Sequence, residues 1–457
     1  MRSRLVIYIV IAVVAVAALV AGIVAVAGAS QTNPLPAVSA TDLLAQMHQH
    51  RGQTTSVSGD VSWQNNLLGD LSSLTGSGFG GASAKLPLVA SGSGRLWAGK
   101  DGVRVESQAS GGDQVVVMSS AGHDAWTYDY AASTAVHYVM SGALAGDGQP
   151  APEPSAAAAT PAQITAFLEQ LAPYAKVEVT GQATVAGRDA YLVSMTPVAS
   201  DTALGSVQAA IDGQTYTPLR LQVFARGDTT PVLQFGFTSV SYDPIPAATF
   251  TFTPPAGTTV TTKTIDLGKT AQGGSSSGAQ SEPTKAQQSA LQQILRNVFL
   301  TVPEAQKLVQ YKLYSPQGYS ARPFQQAMVL DKGGPLTAMG EPLTALLEAS
   351  GFTMPGSPAG AGDTTSPTVA TGPVTVLVYG KGFGTIVLAQ TQTTAALDKQ
   401  LKQLPALVDS TTVNGVTVRS LTTPLGGVEV WQKGDTTLIA GGMVPAADLQ
   451  AFVTSVQ

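Results

Sequence analysis

Cysteine is absent from all 457 residues, which excludes a disulfide framework, a thiolate zinc site and acylation through a lipobox cysteine. Charge is scarce, at 12% of residues, and aromatics make up only 6%. What charge there is leans acidic: outside Arg2 and Arg4, 22 basic residues face 29 acidic ones, a balance of −7. Such a chain has no electrostatic reason to bind nucleic acid, and no block of lysines suggests contact with lipid headgroups. Only four histidines occur, His48, His50, His123 and His137. His48 and His50 are two apart on a predicted helix and point in different directions, so they cannot form the i, i+4 pair of a zinc protease. His123, Asp124 and Asp129 surround Trp126 and make a conceivable acid/base set, yet no nucleophile stands at a meaningful spacing, and a surface turn is the better reading. Neither S-x-x-K nor H-E-x-x-H occurs. Gly380-Lys-Gly-Phe-Gly384 lacks the spacing of a phosphate-cradling loop and reads as a tight β-turn, as does Val413-Asn-Gly-Val416. The expectation is a protein that is not an enzyme, with no cofactor and no metal.

One thing the chain does have is a long apolar run. Leu5 to Ala29 is uncharged over 25 residues, enough to cross a bilayer as a helix, and Arg2 and Arg4 precede it. The positive-inside rule then leaves residue 1 in the cytosol and the bulk of the chain extracytoplasmic. Residues 1–30 are therefore expected to be a signal anchor. A cleaved signal peptide competes with it, because Ala27-Gly-Ala29 resembles a small-residue cleavage site, and the chain would then be secreted.

Plentiful Gly (48) and Pro (28) favour β-rich domains with many turns. Residues 31–37 read as a Pro-containing tether. Ser39 and Asp42 resemble a capping box ahead of an apolar stripe at Leu43, Leu44 and Met47. Strand-like runs follow at Val57–Trp63, Gly94–Ala98, Val103–Glu106, Val115–Met118, Ala125–Tyr128 and Val136–Val139. Between the first two, Leu67 to Leu88 has leucines and Phe79 among Gly and Ser with no clean period, and reads as a flap. Pro161 opens a helix with Ile164, Phe167, Leu168 and Leu171 on one face. From Leu204 to Val260 the chain reads as a β-meander through Val207–Ile211, Leu219–Phe224, Val232–Phe237 and Phe250–Phe252. Residues 263–285, with Gly-Gly-Ser-Ser-Ser-Gly, form a linker. A helix is expected over Gln287–Leu300, then a second domain over 286–457 with a Gly/Pro/Thr insert at about 354–373.

Ile211-Asp-Gly213, Pro218-Leu-Arg-Leu-Gln-Val-Phe-Ala-Arg226, Phe235-Gly-Phe-Thr-Ser-Val-Ser241 and Phe250-Thr-Phe-Thr-Pro-Pro255 resemble the closing strands of the actinobacterial-type branch of the LolA/RseB superfamily. Weaker likenesses lie at Val57–Trp63, Asp124–Tyr128 and Val185–Tyr191. The resemblance covers residues 38–262. It implies an α+β fold in which an incomplete antiparallel β-barrel with covering helices wraps an apolar cavity. The second half is similar to a small α+β domain of unknown function found in membrane-anchored bacterial regulators, and in layout to the C-terminal domain of RseB-type proteins.

That superfamily includes outer-membrane lipoprotein carriers and envelope-stress regulators of the MucB/RseB type. The resemblance thus implies a cavity that holds an acyl chain, lipid or lipoprotein. The alternative it implies is a regulator whose partner is an anti-sigma factor or another membrane signalling protein. The cavity lining expected from the apolar residues is Trp63, Leu67, Leu68, Leu71, Phe79, Trp97, Trp126, Phe167, Leu168, Leu221 and Phe235. Residues 41–50 and the flap would act as lids.

Overall fold

The computed structural model describes residues 35–50, 56–67, 91–109, 112–119, 124–141, 161–266, 298–330, 373–395, 397–398 and 409–456. The expected anchor, the first part of the tether, the flap beyond Leu67, most of the linker and the insert lie outside the described residues. Among the described residues no helix is long and apolar enough to cross a membrane. The chain divides into two compact units, Met1–Ser200 with Gly205–Ala271, and Asp201–Leu204 with Gln272–Gln457.

The first unit is one sheet of twelve strands. In chain order these are β1 (Ser56–Asn65), β2 (Gly92–Gly99), β3 (Gly102–Ala109), β4 (Gln114–Ser119), β5 (Asp124–Asp129), β6 (Thr134–Ser141), β7 (Ala175–Val185), β8 (Arg188–Pro197), β9 (Leu204–Asp212), β10 (Pro218–Ala225), β11 (Leu233–Phe237) and β12 (Thr259–Asp266). Their spatial order is β12-β6-β5-β4-β3-β2-β1-β11-β10-β9-β8-β7, so among the described residues β12 and β7 are the edges and the sheet stays open. The expected antiparallel pattern holds through β1 to β6, but β12 joins β6 in parallel, Thr262 opposite His137. The domain therefore runs four residues past its expected end. The β-branched run Thr259-Val-Thr-Thr262 favours a strand, and a parallel partner more than a hundred residues upstream leaves no local signature.

Phe250-Thr-Phe252 is not the strand expected. Ala247–Phe250 is a 3₁₀ turn after Pro246, and Pro254 and Pro255 withhold the N–H groups that a ladder needs. The two rings pack instead: Phe250 is buried beside Gly102, and Phe252 lies 5.6 Å from Trp126 and 5.7 Å from Tyr128.

Helix α1 (Ala40–His50) starts at the cap read from the sequence, with the Asp42 amide donating to Ser39 Oγ at 3.1 Å. Leu43 is fully buried with Tyr191 and Ile211, and Met47 packs against the same cluster. Helix α2 (Pro161–Leu171) packs on α1 and β7. Only part of its expected stripe is covered: Ile164 is buried and Leu168 half-buried, while Phe167 is 56% exposed. The seam is narrower than four apolar residues.

The second unit holds an eight-stranded sheet in the order β13-β14-β15-β16-β20-β19-β18-β17. Its strands are β13 (Val298–Leu300), β14 (Phe324–Leu330), β15 (Val374–Tyr379), β16 (Ile386–Gln392), β17 (Asp409–Val413), β18 (Val416–Thr423), β19 (Gly426–Lys433) and β20 (Thr436–Gly442). Val298–Leu300 is thus an edge strand rather than the end of a helix. A short helix α3 (Val302–Gln306) follows, closed by a capping box between Thr301 and Glu304. One of the two turn readings holds: Asn414-Gly415 joins β17 to β18 with φ of 51° and 78°, the left-handed pair that a two-residue hairpin needs. Gly380–Gly384 links the paired β15 and β16 as expected, but through a 3₁₀ turn at Gly382–Gly384 within a longer connection rather than a tight β-turn. Helix α4 (Ala446–Ser455) lays Leu449, Phe452 and Val453 into a single core with Leu377, Ile386, Leu388, Trp431 and Leu438.

Candidate apolar site

Strand register sorts the expected lining residues onto two faces of the first sheet. Trp63 on β1 stands opposite Phe235 on β11, and Phe235 opposite Leu221 on β10, so the three share one face in a continuous row. Trp63 is 3% exposed, whereas Phe235 and Leu221 are only half-buried. On its other side Trp63 faces Gly92, and a Cβ there would stand 2.6 Å from the indole ring, so glycine is what lets the ring lie against β2. Val57, Val61, Leu96, Ala98, Leu219 and Phe237 extend this face into one apolar cluster.

Trp97 and Trp126 belong to the opposite face. Leu96 pairs with Gly59 and Trp97 with Ser58, and since side chains alternate along a strand, Trp97 points away from Trp63. It sits between two guanidinium groups, Arg95 at 5.5 Å and Arg104 at 6.0 Å, each ion-paired in turn, to Asp60 and to Glu106. The Gln222 amide donates to Gln234 at 2.6 Å on this same face, so its middle is polar. Trp126 stacks on His137 with ring centroids 3.9 Å apart, inside a small cluster with Val115, Val117 and Tyr128. A single lining built from all three tryptophans is therefore corrected. One residue of parity separates Trp97 from Leu96, and an apolar count along a strand does not register parity.

The rest of the expected set does not join the row. Phe167 and Leu168 stand on α2. Leu67 is half-buried just past β1, its amide donating to Asn65 Oδ1 at 3.1 Å. Leu68, Leu71 and Phe79 lie outside the described residues. Among the histidines, His50 has Nδ1 2.8 Å from the Gln46 carbonyl and its ring against Tyr216. The side chains of His48 and His123 are outside the described residues, and the Asp129 carboxylate accepts from the Ala132 amide in a turn. Among the described residues no group of His, Asp and Glu is placed to hold a metal.

Two polar features went unread in the sequence. Arg188 forms a two-point ion pair with Asp212, whose side chain is fully buried, and Tyr242 donates to Asp212 at 3.3 Å. Burial raises the Asp212 pKa, but the Arg188 bond and the amides of Thr215 and Gln214 outweigh it and hold the carboxyl below its usual value. Burial, with Asp212 nearby, pushes the Tyr242 phenol up to about 12. The second feature is at the start of the described chain. Gln182 accepts from the Leu35 amide at 3.0 Å and donates to the Leu35 carbonyl at 2.6 Å, while Tyr191 donates to the Pro36 carbonyl at 3.1 Å. The Leu35 side chain occupies the space a Cβ on Gly213 would need. Leu35 and Pro36, expected to belong to the Pro-containing tether, are docked.

No family model matches the chain, and no curated protein matches it in sequence. Solved structures do. The complex of Pseudomonas aeruginosa MucA and MucB matches at 14% identity over 91% of this chain and 98% of that one, with a TM-score of 0.34. A DUF1329 family protein from Desulfovibrio piger matches at 16% identity over 46% and 95%, with a TM-score of 0.19. A LolA superfamily protein from Nitrosomonas europaea matches at 13% identity over 47% and 99%, with a TM-score of 0.18. The solved structures this chain is similar to thus include proteins of the MucB and LolA kind.

Proposed function

We propose that the chain is a membrane-anchored extracytoplasmic binding protein that holds an acyl chain, as a lipid or a lipidated protein, against the Trp63 face of its first unit. The supporting observation is the row Leu221, Phe235 and Trp63, which is continuous, apolar and only half-covered at two of its three members. Capture needs no catalytic group. Each methylene buried on such a surface yields about 0.8 kcal/mol. Uptake of a fluorescent fatty acid by the full chain tests the reading. Phe235→Asp should lower uptake at least tenfold, because it places a charge in the row, while Trp97→Ala on the opposite face should leave it unchanged. Equal effects of the two substitutions, or no uptake by the parent chain, would sink it.

A second reading is a regulator that binds a membrane signalling partner, in the manner of envelope-stress regulators. The docking of Leu35 favours it, since a domain clamped directly behind a membrane anchor cannot leave the membrane as a shuttle must. Affinity capture from detergent extracts separates the two: a stoichiometric membrane signalling protein supports regulation, and bound lipid without one supports a holder of acyl chains.

A further inference from the structure

The clamp on Leu35 also fixes which end of the first unit meets the membrane. Ala29 ends the apolar run, and six residue steps later Leu35 is held by Gln182 on β7, by the space above Gly213 after β9 and, through Pro36, by Tyr191 on β8. Six extended steps reach at most about 21 Å, and Pro34 stiffens the last of them. The headgroup layer alone takes up roughly 5–7 Å of that reach.

We infer that the end of the sheet formed by Leu35–Val38, the β7–β8 turn and the β9–β10 turn faces a lipid bilayer at short range. The inference rests on the proposed anchor. The two turns are tied side by side, the Gly213 amide donating to the Asp189 carbonyl at 2.8 Å, and Thr184, Gly187 and Gln214 are exposed there. The opposite end of the same strands points away. Strand β10 spans eight residues from Pro218 to Ala225, so the Asp228 turn lies roughly 23 Å from the Gln214 turn. Leu67 and Ser91 are at that far end as well, since the Asn66 amide donates to Val232 and the Asn65 amide to Ser91 Oγ. An acyl chain that reaches the Trp63 row from that end comes from the side away from the chain's own bilayer.

Charge does not set this orientation. Arg188, the basic residue of the β7–β8 turn, is occupied by Asp212, and Asp189 beside it is acidic. Proximity comes from the length of the tether and should not depend on salt.

The absence of cysteine makes the test clean, because a single introduced cysteine takes a single label. The full chain is reconstituted in phosphatidylcholine vesicles that carry a headgroup nitroxide quencher, with a fluorophore on Gln214→Cys or on Asp228→Cys. Quenching should be at least threefold stronger at 214 than at 228, should persist in 0.5 M salt, and should fall at 214 when twenty Gly/Ser residues are inserted after Ser30. Equal quenching at the two positions, or the reverse order, in a chain that floats with the vesicles overturns the inference and leaves the anchor standing. A chain that does not float removes the anchor and the inference with it.

Discussion

One glutamine in each unit makes the same two-bond clamp on a distant backbone residue, and the two clamps differ chiefly in burial. In the second unit Gln390 is 1% exposed; it accepts from the Tyr314 amide and donates to the Tyr314 carbonyl, both at 2.8 Å. In the first unit Gln182 does the same to Leu35, but it is exposed on the edge strand β7. The contrast extends to the sheets that carry them. The second sheet packs one face under a single core that takes in α3, α4 and Tyr311. The first sheet divides its buried residues among three clusters on two faces, with a polar stretch around Arg95, Trp97 and Gln234 between them. A sheet closed by one core has little surface left to offer. One whose core is divided leaves half-covered apolar residues, and the Phe235 row is of that kind.

The clamps give the sharpest test of this difference. Gln390→Ala should cost about 4 kcal/mol, because the Tyr314 N–H and C=O would both be buried without partners, at about 1–3 kcal/mol each, and a cavity would open beside them. Thermal unfolding of the chain reads this directly, and a loss below about 1 kcal/mol would mean that water reaches the site.

The ion pair of the first unit ranks next. Asp212→Asn removes the charge that Arg188 meets while keeping the shape of the side chain, and it should cost about 3 kcal/mol at pH 7. Asp212 titrates below its usual value when folded, so its contribution is complete above the ordinary carboxylate pKa, about 3.9, and is lost as pH falls through the lower folded value. Parent and variant should therefore differ by a constant amount from pH 5 to 8 and converge only below about pH 4. A gap that closes already near pH 6 would show that Asp212 is not the group involved.

Much of the fold was legible because local chemistry carried it. Ser39 capped α1, Asn414-Gly415 turned β17 into β18, and β-prone runs marked β3 to β6 and β9 to β11. Apart from Phe250–Phe252, where Pro254 and Pro255 argue locally against a strand, the main misses depend on partners far away in sequence. Strand β12 exists through a parallel neighbour at β6, and the side on which Trp97 falls is set by its pairing with β1. Of the candidate lining, Trp63, Leu221 and Phe235 came together because two registers agree across three strands, a fact that belongs to the sheet and to no single strand. The Leu35 clamp was equally hidden: Gln182 lies 147 residues from its partner, and nothing around it in sequence distinguishes it from a surface glutamine.

Gln182→Ala is the smallest effect expected and the one that ties stability to placement. Water can replace both lost bonds at an exposed edge, so the cost should stay below about 1 kcal/mol. Leu35 would keep its side-chain contacts at Gly213 and the Tyr191 bond to Pro36, and α1 would keep its cap, so the unit should remain folded. What the substitution removes is the backbone restraint on the residue that follows the tether. In the vesicle experiment the label at 214 should then lose part of its quenching while the unfolding temperature barely moves. If both stay at parent values, the contacts of Leu35 and Pro36 suffice to hold the segment, and the exposed clamp is redundant where its buried counterpart is not.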